Sequence, residues 1–149
     1  MPLDKLTEVA PRPDPVVHPE VAGFWVGLAD GELRVQVCSV CGTYRYPFAP
    51  VCFNCRSFES TWEPISPDGV VAAAVRVRRA TGEQEWQAHV PFLSGIVELE
   101  HGLRLPGRIA CTCGEALRRG TAVRTVVMRA GGGGIDVYGF AHSCVSANG

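Results

Sequence analysis

The stretch Cys38-Ser39-Val40-Cys41 and its counterpart Cys52-Phe53-Asn54-Cys55 decide the fold of the first half of the chain. Each is a C-x2-C motif, and ten residues separate the two. Two such motifs on hairpin tips can hold four thiolates in a tetrahedron, which suits Zn²⁺ at about 2.3 Å per Zn–S bond. Four thiolates leave no open coordination position, so the pattern predicts one structural zinc rather than a catalytic one. Iron can occupy the same four sulfurs.

The residues around these cysteines have the pattern of a small sheet. Leu33, Val35 and Val37 alternate with polar residues and predict a strand that leads into the first motif. Short strands are expected at 43–46 and 58–62. A unit of this size buries too little apolar surface to fold unaided, so the metal is expected to hold it together. The sequence therefore predicts a rubredoxin-like zinc ribbon over residues 32–63.

Composition limits the class of protein. The chain has 149 residues, of which 46% are hydrophobic and 19% charged, and this excludes a mostly disordered protein. No apolar run approaches the ~18 residues of a membrane span. The start of the chain lacks the pattern of a secretory signal, so we expect a cytoplasmic protein. An odd total of 7 cysteines also argues against a disulfide framework.

The N-terminal region predicts an arm and a short helix, together residues 1–31. Prolines dominate residues 1–18, which indicates an extended arm or a disordered tail. Pro19-Glu20 then begins a helix, and Gly31 can end it. One helical face carries Val21, Phe24, Trp25 and Leu28. We expect this face to pack on its own domain; the alternative is that Phe24 and Trp25 bind a partner subunit.

From residue 64 to 149 the sequence predicts a second, β-rich domain. Val-rich alternating runs with turn residues between them indicate five strands, at 70–78, 90–99, 103–111, 122–129 and 135–142. A helical turn is expected at 115–119, between the third and fourth strands. This order is that of a five-stranded OB-fold barrel. The whole chain is thus expected to be mainly β, with an N-terminal helical arm, a zinc ribbon and an OB-fold domain.

Arginines form two clusters that could contact phosphate. Arginine is suited to phosphate because its planar fork donates two parallel hydrogen bonds. A phosphate-bearing ligand such as CoA is one target, a single-stranded nucleic acid is another, and a solvated surface is the simplest alternative. The residues are Arg76, Arg78, Arg79, Arg118 and Arg119.

A second, weaker group of possible metal ligands lies near the C-terminus. Cys111 and Cys113 are two residues apart on a predicted strand end, so their side chains face one way. With His142 or Cys144 they could form a second metal site. The expected role of Cys111 and Cys113, however, is that of small, buried apolar residues. No catalytic triad, phosphate-binding glycine loop or acid–base pair is recognisable in the sequence. The sequence therefore predicts no catalytic residue.

The order of these motifs resembles a known family: zinc-ribbon and OB-fold proteins associated with acyl-CoA enzymes. The resemblance spans residues 19 to 143. It departs at Asp68, where glycine is common, and at Cys111-Thr112-Cys113. The segments that carry it are Phe24-Trp25, Cys38-Ser39-Val40-Cys41-Gly42, Tyr44-Arg45-Tyr46-Pro47, Cys52-Phe53-Asn54-Cys55, Trp62-Glu63-Pro64, Val90-Pro91-Phe92 and Gly102-Leu103-Arg104-Leu105.

The resemblance implies an accessory subunit rather than an independent enzyme. Members of the family accompany thiolase-like proteins, including lipid-transfer-type homologues that carry the chemistry. In steroid side-chain breakdown such a pair acts as a retro-aldolase on a β-hydroxyacyl-CoA, and other pairs perform thiolase-type reactions. The small subunit is expected to stabilise its partner and to help form the site for the CoA thioester.

The alternative from a different class is a single-stranded nucleic-acid binder, since OB barrels and zinc ribbons both serve that purpose. A net charge of −1 and a pI near 6.4 disfavour it. So does the small number of barrel aromatics, which are Trp86, Phe92, Tyr138 and Phe140. We therefore do not expect nucleic acid as the partner.

Overall fold

The computed structural model describes residues 14–82, 84–87, 89–111, 117–128 and 134–142. The first elements are a 3-10 turn (Pro19–Val21), helix α1 (Ala22–Ala29) and strands β1 (Arg34–Cys38), β2 (Tyr44–Arg45) and β3 (Ser60–Pro64). The later elements are β4 (Asp68–Val77), helix α2 (Gln84–Gln87), β5 (Phe92–Glu98), β6 (Arg104–Ala110), β7 (Ala122–Met128) and β8 (Val137–His142). Within the described ranges, no helix has the length and apolar character that crossing a membrane requires.

The five later strands close into a barrel in the order β4-β5-β6-β8-β7. All neighbouring pairs are antiparallel except β6 and β8, which run parallel. This is the OB-fold arrangement that the sequence predicts, and the mainly β fold class is confirmed. Fully buried side chains from four strands fill the interior, among them Val71, Val97, Leu105 and Phe140.

The helical elements of the barrel differ from the expectation. A helix was expected at 115–119, but residues 112–116 lie outside the described ranges and 117–119 are not helical. Instead α2 lies between β4 and β5, where the sequence indicates only turn residues. Strand β5 begins at Phe92 rather than at Val90, because Pro91 has no N–H to donate to the strand ladder.

The ribbon is a three-stranded antiparallel sheet in the order β2-β1-β3. Helix α1 packs closely against it, since a Cβ on Gly23 would lie 2.3 Å from the Trp62 ring. Only glycine at this position allows the helix to approach β3 so closely. The helix is therefore part of the ribbon's packing.

The ribbon and the barrel share one hydrophobic core. Phe24 of α1 lies between Phe48 of the ribbon and Tyr138 of β8, with ring centroids 5.1 and 5.6 Å away. Tyr44 of β2 stacks on His101, which follows β5, and the two ring centroids are 3.6 Å apart. These aromatic contacts join the two halves of the chain. Aromatic pairs of this kind stabilise a fold beyond what the burial of their surface alone contributes.

Candidate metal centre

The four cysteines of the two C-x2-C motifs come together as predicted. All four Sγ atoms lie within 4.8 Å of one another. Cys38 Sγ is 3.5 Å from Cys55 Sγ, and Cys41 Sγ is 3.7 Å from Cys52 Sγ. Tetrahedral zinc with bonds of about 2.3 Å needs sulfurs about 3.8 Å apart. The cluster therefore has the dimensions of a four-thiolate metal site.

Two similar tight turns position the four thiols. In the first motif, Gly42 has a φ of 70° and its N–H donates to the Cys38 carbonyl at 2.9 Å. In the second, Arg56 has a φ of 64° and its N–H donates to the Cys52 carbonyl at 2.9 Å. Each turn buries its first cysteine, Cys38 or Cys52, and exposes its second. Half of the metal site thus belongs to the core and half to the surface.

The surroundings shift the pKa values of three of the thiols, two of them downward and one upward. The Thr43 hydroxyl and N–H hydrogen-bond the Cys41 sulfur and lower the pKa of its thiol to about 6. The N–H of Cys41 likewise holds the pKa of Cys38 below its usual range. At Cys55 the N–H of Ser57 acts in the same direction, but burial and the neighbouring thiols raise its pKa to about 12. Thiols bind a metal as thiolates, so a divalent cation at this position would neutralise the four together.

The donor set fits Zn²⁺ and defines its role. Four soft thiolates suit zinc, and their number leaves no vacant position for water or substrate. Cys38, Cys41, Cys52 and Cys55 would hold the ion, and the ion would fix the two turns against each other. The arrangement is thus suited to structural metal binding.

The two arginine clusters do not form one site. Arg78 and Arg79 follow the end of β4 and line a cavity of about 310 Å³ together with Gln87. Arg118 and Arg119 lie beside the start of the same strand, where the N–H of Gly120 donates to the carbonyl of Val71. About seven strand residues separate the two ends, which corresponds to roughly 20 Å. Arg76 lies on β4, and its side chain is exposed.

Phe24 and Trp25, which the alternative interpretation of the helix assigns to a partner interface, differ in accessibility. Phe24 is only 3% exposed, so it belongs to the chain's own core and offers almost no surface to a partner. Trp25 is half-buried and packs edge-on against Phe24. Only Trp25 therefore keeps a surface that a partner could cover.

The structure also locates the other residues that the sequence singles out. Cys111 and His142 come into contact, with Cys111 Sγ 3.5 Å from His142 Nδ1, while Cys113 and Cys144 lie outside the described residues. Phe140 is fully buried, so it cannot stack on a nucleic-acid base. The side chain of Trp86 also lies outside the described part of the chain.

Sequence reasoning missed two arginines. Arg108 lies over the Phe92 ring at 4.7 Å, and burial lowers the pKa of its guanidinium. Alternation along β6 could have placed it on the outer face with Arg104 and Pro106. Arg45 is 1% exposed, and no described residue hydrogen-bonds its guanidinium. Nothing in the sequence marks it as buried.

Comparison with known proteins agrees with this architecture. Residues 25–61 match the model of the rubredoxin-like zinc ribbon domain of ChsH2, and residues 62–129 match its C-terminal OB-fold domain. A DUF35 domain-containing scaffold protein of Methanocaldococcus jannaschii is 27% identical over 106 residues, which are 69% of this chain and 74% of that protein. A solved chain of the Ltp2-ChsH2(DUF35) aldolase superposes with a TM-score of 0.74 at 21% identity, covering 87% of this chain and 98% of that one. Because the two ChsH2 models together match residues 25–129 in unbroken order, this chain belongs to the ChsH2 family of zinc-ribbon and OB-fold proteins.

Proposed function

We propose that this chain is a non-catalytic accessory subunit of a thiolase-like or lipid-transfer-type protein. Together the two would form the acyl-CoA site of a retro-aldolase or thiolase, with steroid side-chain degradation as the candidate pathway. Two relatives support this role: one is named a scaffold protein, and the other is a chain of an aldolase that pairs ChsH2 with Ltp2. In such a pair the partner carries the chemistry and this chain supports it.

The observation that carries the proposal is the composition of α1. Its eight residues, Ala22–Ala29, include no polar side chain. Phe24, Gly27 and Leu28 face the core, whereas Val26 is 52% exposed and Trp25 is half-buried. A helix that is apolar on all sides is normally covered on all sides. The outer side of α1 is therefore proposed as the surface that the partner covers.

Val26→Asp is expected to weaken the complex at least tenfold, because an unpaired carboxylate would be buried in an apolar interface. The measurement is the dissociation constant for a thiolase-like chain encoded by the same genome, with the complex sized by light scattering. Val70→Asp places the same change on β4, at a valine 40% exposed, and should leave the complex intact. Equal binding by the Val26 variant and the native chain would place the interface elsewhere.

Activity tests the accessory role itself. The complex should cleave or form a carbon–carbon bond on a CoA thioester, and this chain alone should turn over no thioester. Turnover by the isolated chain would contradict the proposal. Tight binding of single-stranded DNA at moderate salt would favour the nucleic-acid alternative instead.

The barrel offers a surface for the CoA moiety. OB folds bind ligands on the face of their second and third strands and on the loop between the first and second. Here these are the outer face of β5 and β6 and the segment that carries Arg78 and Arg79. An apolar cavity of about 290 Å³ on this face is lined by Val75, Ile96 and Pro106. We therefore assign the CoA phosphates to Arg78 and Arg79 and the apolar part of the ligand to this face.

Replacing Arg78 and Arg79 together with alanine is expected to weaken CoA binding about 10- to 100-fold, since a hydrogen bond to a charged group contributes about 1.5–3 kcal/mol. Titration of the complex with CoA at low and at high salt measures the effect, which should shrink as salt rises. The pair Arg118→Ala and Arg119→Ala, at the opposite end of β4, is the matched control. If that pair weakens binding instead, the phosphates lie at the other cluster.

A further inference from the structure

Arg108 is a half-buried cation on the outer face of the barrel. Its cross-strand partner on β5 is Ser94, but its guanidinium lies over the ring of Phe92, which precedes Ser94 by two residues. The guanidinium carbon is 4.7 Å from the ring centroid. The side chain therefore extends along the strands toward the Phe92 end of this face, and the attraction between cation and ring holds its planar group in place.

The guanidinium of Arg108 differs from those of its neighbours because no described carboxylate pairs with it. Arg104 on the same strand pairs with Glu98 at 2.9 Å, and Arg124 of β7 pairs with Asp68 at 2.6 Å. Burial lowers the pKa of Arg108, and no carboxylate opposes that shift. A charge withdrawn from water is costly unless it is paired. Arg108 is therefore suited to bind an anion.

On one side of Arg108 lies the apolar cavity of about 290 Å³. Two residues that line it are immediate neighbours of Arg108: Ser94 is the cross-strand partner, and Pro106 lies two positions earlier on the same face of β6. The Ser94 hydroxyl belongs to the only polar side chain in that lining. A ligand whose apolar part fills this cavity and continues toward Phe92 would bring its next atoms to Arg108.

On the other side, the same face leads to the arginines that follow β4. Phe92 is the cross-strand partner of Val77, the last residue of β4, and Arg78 and Arg79 come directly after it. These two arginines are exposed, whereas Arg108 is half-buried. Arg108 thus lies between the apolar cavity and the two exposed cations.

We propose that Arg108 binds a phosphate group of the ligand on this face and makes the face specific for a phosphorylated ligand. The inference rests on the proposed acyl-CoA site, to which it adds a third phosphate-binding residue beside Arg78 and Arg79. Arginine donates two parallel hydrogen bonds to phosphate. Because Phe92 already holds the guanidinium in place, less conformational entropy is lost when the phosphate binds.

Arg108→Gln is expected to weaken the binding of CoA to the complex about tenfold, because it removes charge-assisted hydrogen bonds. Titration calorimetry at low and at high salt measures the effect. Since Arg108 is half-buried, most of this loss should remain at high salt, whereas the loss caused by replacing Arg78 and Arg79 should shrink. Arg104→Gln is the matched control, because it changes an arginine of the same strand that already pairs with Glu98, and it should bind CoA like the native chain.

A conservative variant tests the role of the planar group. Arg108→Lys keeps the positive charge and loses the fork, so its affinity for CoA should lie between those of the native chain and Arg108→Gln. Native affinity for CoA in both Arg108 variants would overturn the inference. The proposed function would survive that result if replacing Arg78 and Arg79 still weakened binding.

Inorganic pyrophosphate separates this inference from the acyl-CoA assignment. The full chain should bind pyrophosphate, and Arg108→Gln should weaken that binding as well. Pyrophosphate binding that depends on Arg108, without any binding of CoA, would support the phosphate site and contradict the proposed ligand. The absence of binding for both probes would overturn both.

Discussion

Cys52→Ser is expected to release the ribbon metal and to unfold β1–β3 while the barrel strands remain paired. Cys52 is fully buried, and its loss leaves three thiolates in a site built for four. In small zinc domains the apparent metal-binding free energy, about 10–16 kcal/mol, is folding free energy. The hydrogen bonds on one side of the ribbon sheet are few, since β2 contains only two residues. The barrel is closed by its own hydrogen bonds and should persist.

Zinc content and amide hydrogen exchange measure this outcome. Amides of 34–64 should lose their protection in the variant, whereas those of β5 and β6 should keep most of it. Phe53→Ser is the matched control, because Phe53 follows Cys52 directly and is 75% exposed. A ribbon that stays protected without metal would show that packing alone folds it. Loss of protection throughout the barrel would show that the two halves fold as one unit.

Phe24→Ala should lower the free energy of unfolding by about 3–5 kcal/mol, which is the usual cost of deleting a buried aromatic ring. Phe24 is 3% exposed and contacts rings from both halves of the chain, Phe48 and Tyr138. The cavity would open between the ribbon and the barrel. It should therefore loosen their packing as well as reduce stability.

Denaturant unfolding of the metal-loaded chain measures the change. Val26→Ala, two residues along the same helix and 52% exposed, is the control and should change stability by less than about 1 kcal/mol. Similar losses for the two variants would mean that Phe24 does not fill the space between the halves.

The ribbon could be predicted because its determinants are local. Two cysteine motifs and the turns beside them fix the geometry within 18 residues, from Cys38 to Cys55. The barrel strands were also predictable, since alternating Val-rich runs show which residues face inward. The position of α2 was not, because four residues carry too little periodicity to indicate a helix.

The sequence offers the grouping of Cys111 with His142 as one possibility, but it does not fix contacts between distant segments. Cys111 and His142 are 31 residues apart along the chain. They come into contact only because β6 and β8 are neighbours in the closed barrel. The separation of Arg78 and Arg79 from Arg118 and Arg119 likewise depends on which end of β4 each cluster adjoins. Similarly, the apolar face of α1 indicated burial, but only packing on the ribbon decided that Phe24 is the buried residue and Trp25 the accessible one.

The aromatic contacts that span the ribbon and the barrel have a consequence for chimeric proteins. A ribbon transplanted from a relative by cutting at Pro64 would bring its own residues at the positions of Tyr44 and Phe48, while His101 and Tyr138 would remain behind. Such a hybrid would bind zinc correctly and still fit its new barrel poorly. Exchange between relatives should therefore move these four rings and Phe24 as a set, whatever boundary the sequence motifs suggest.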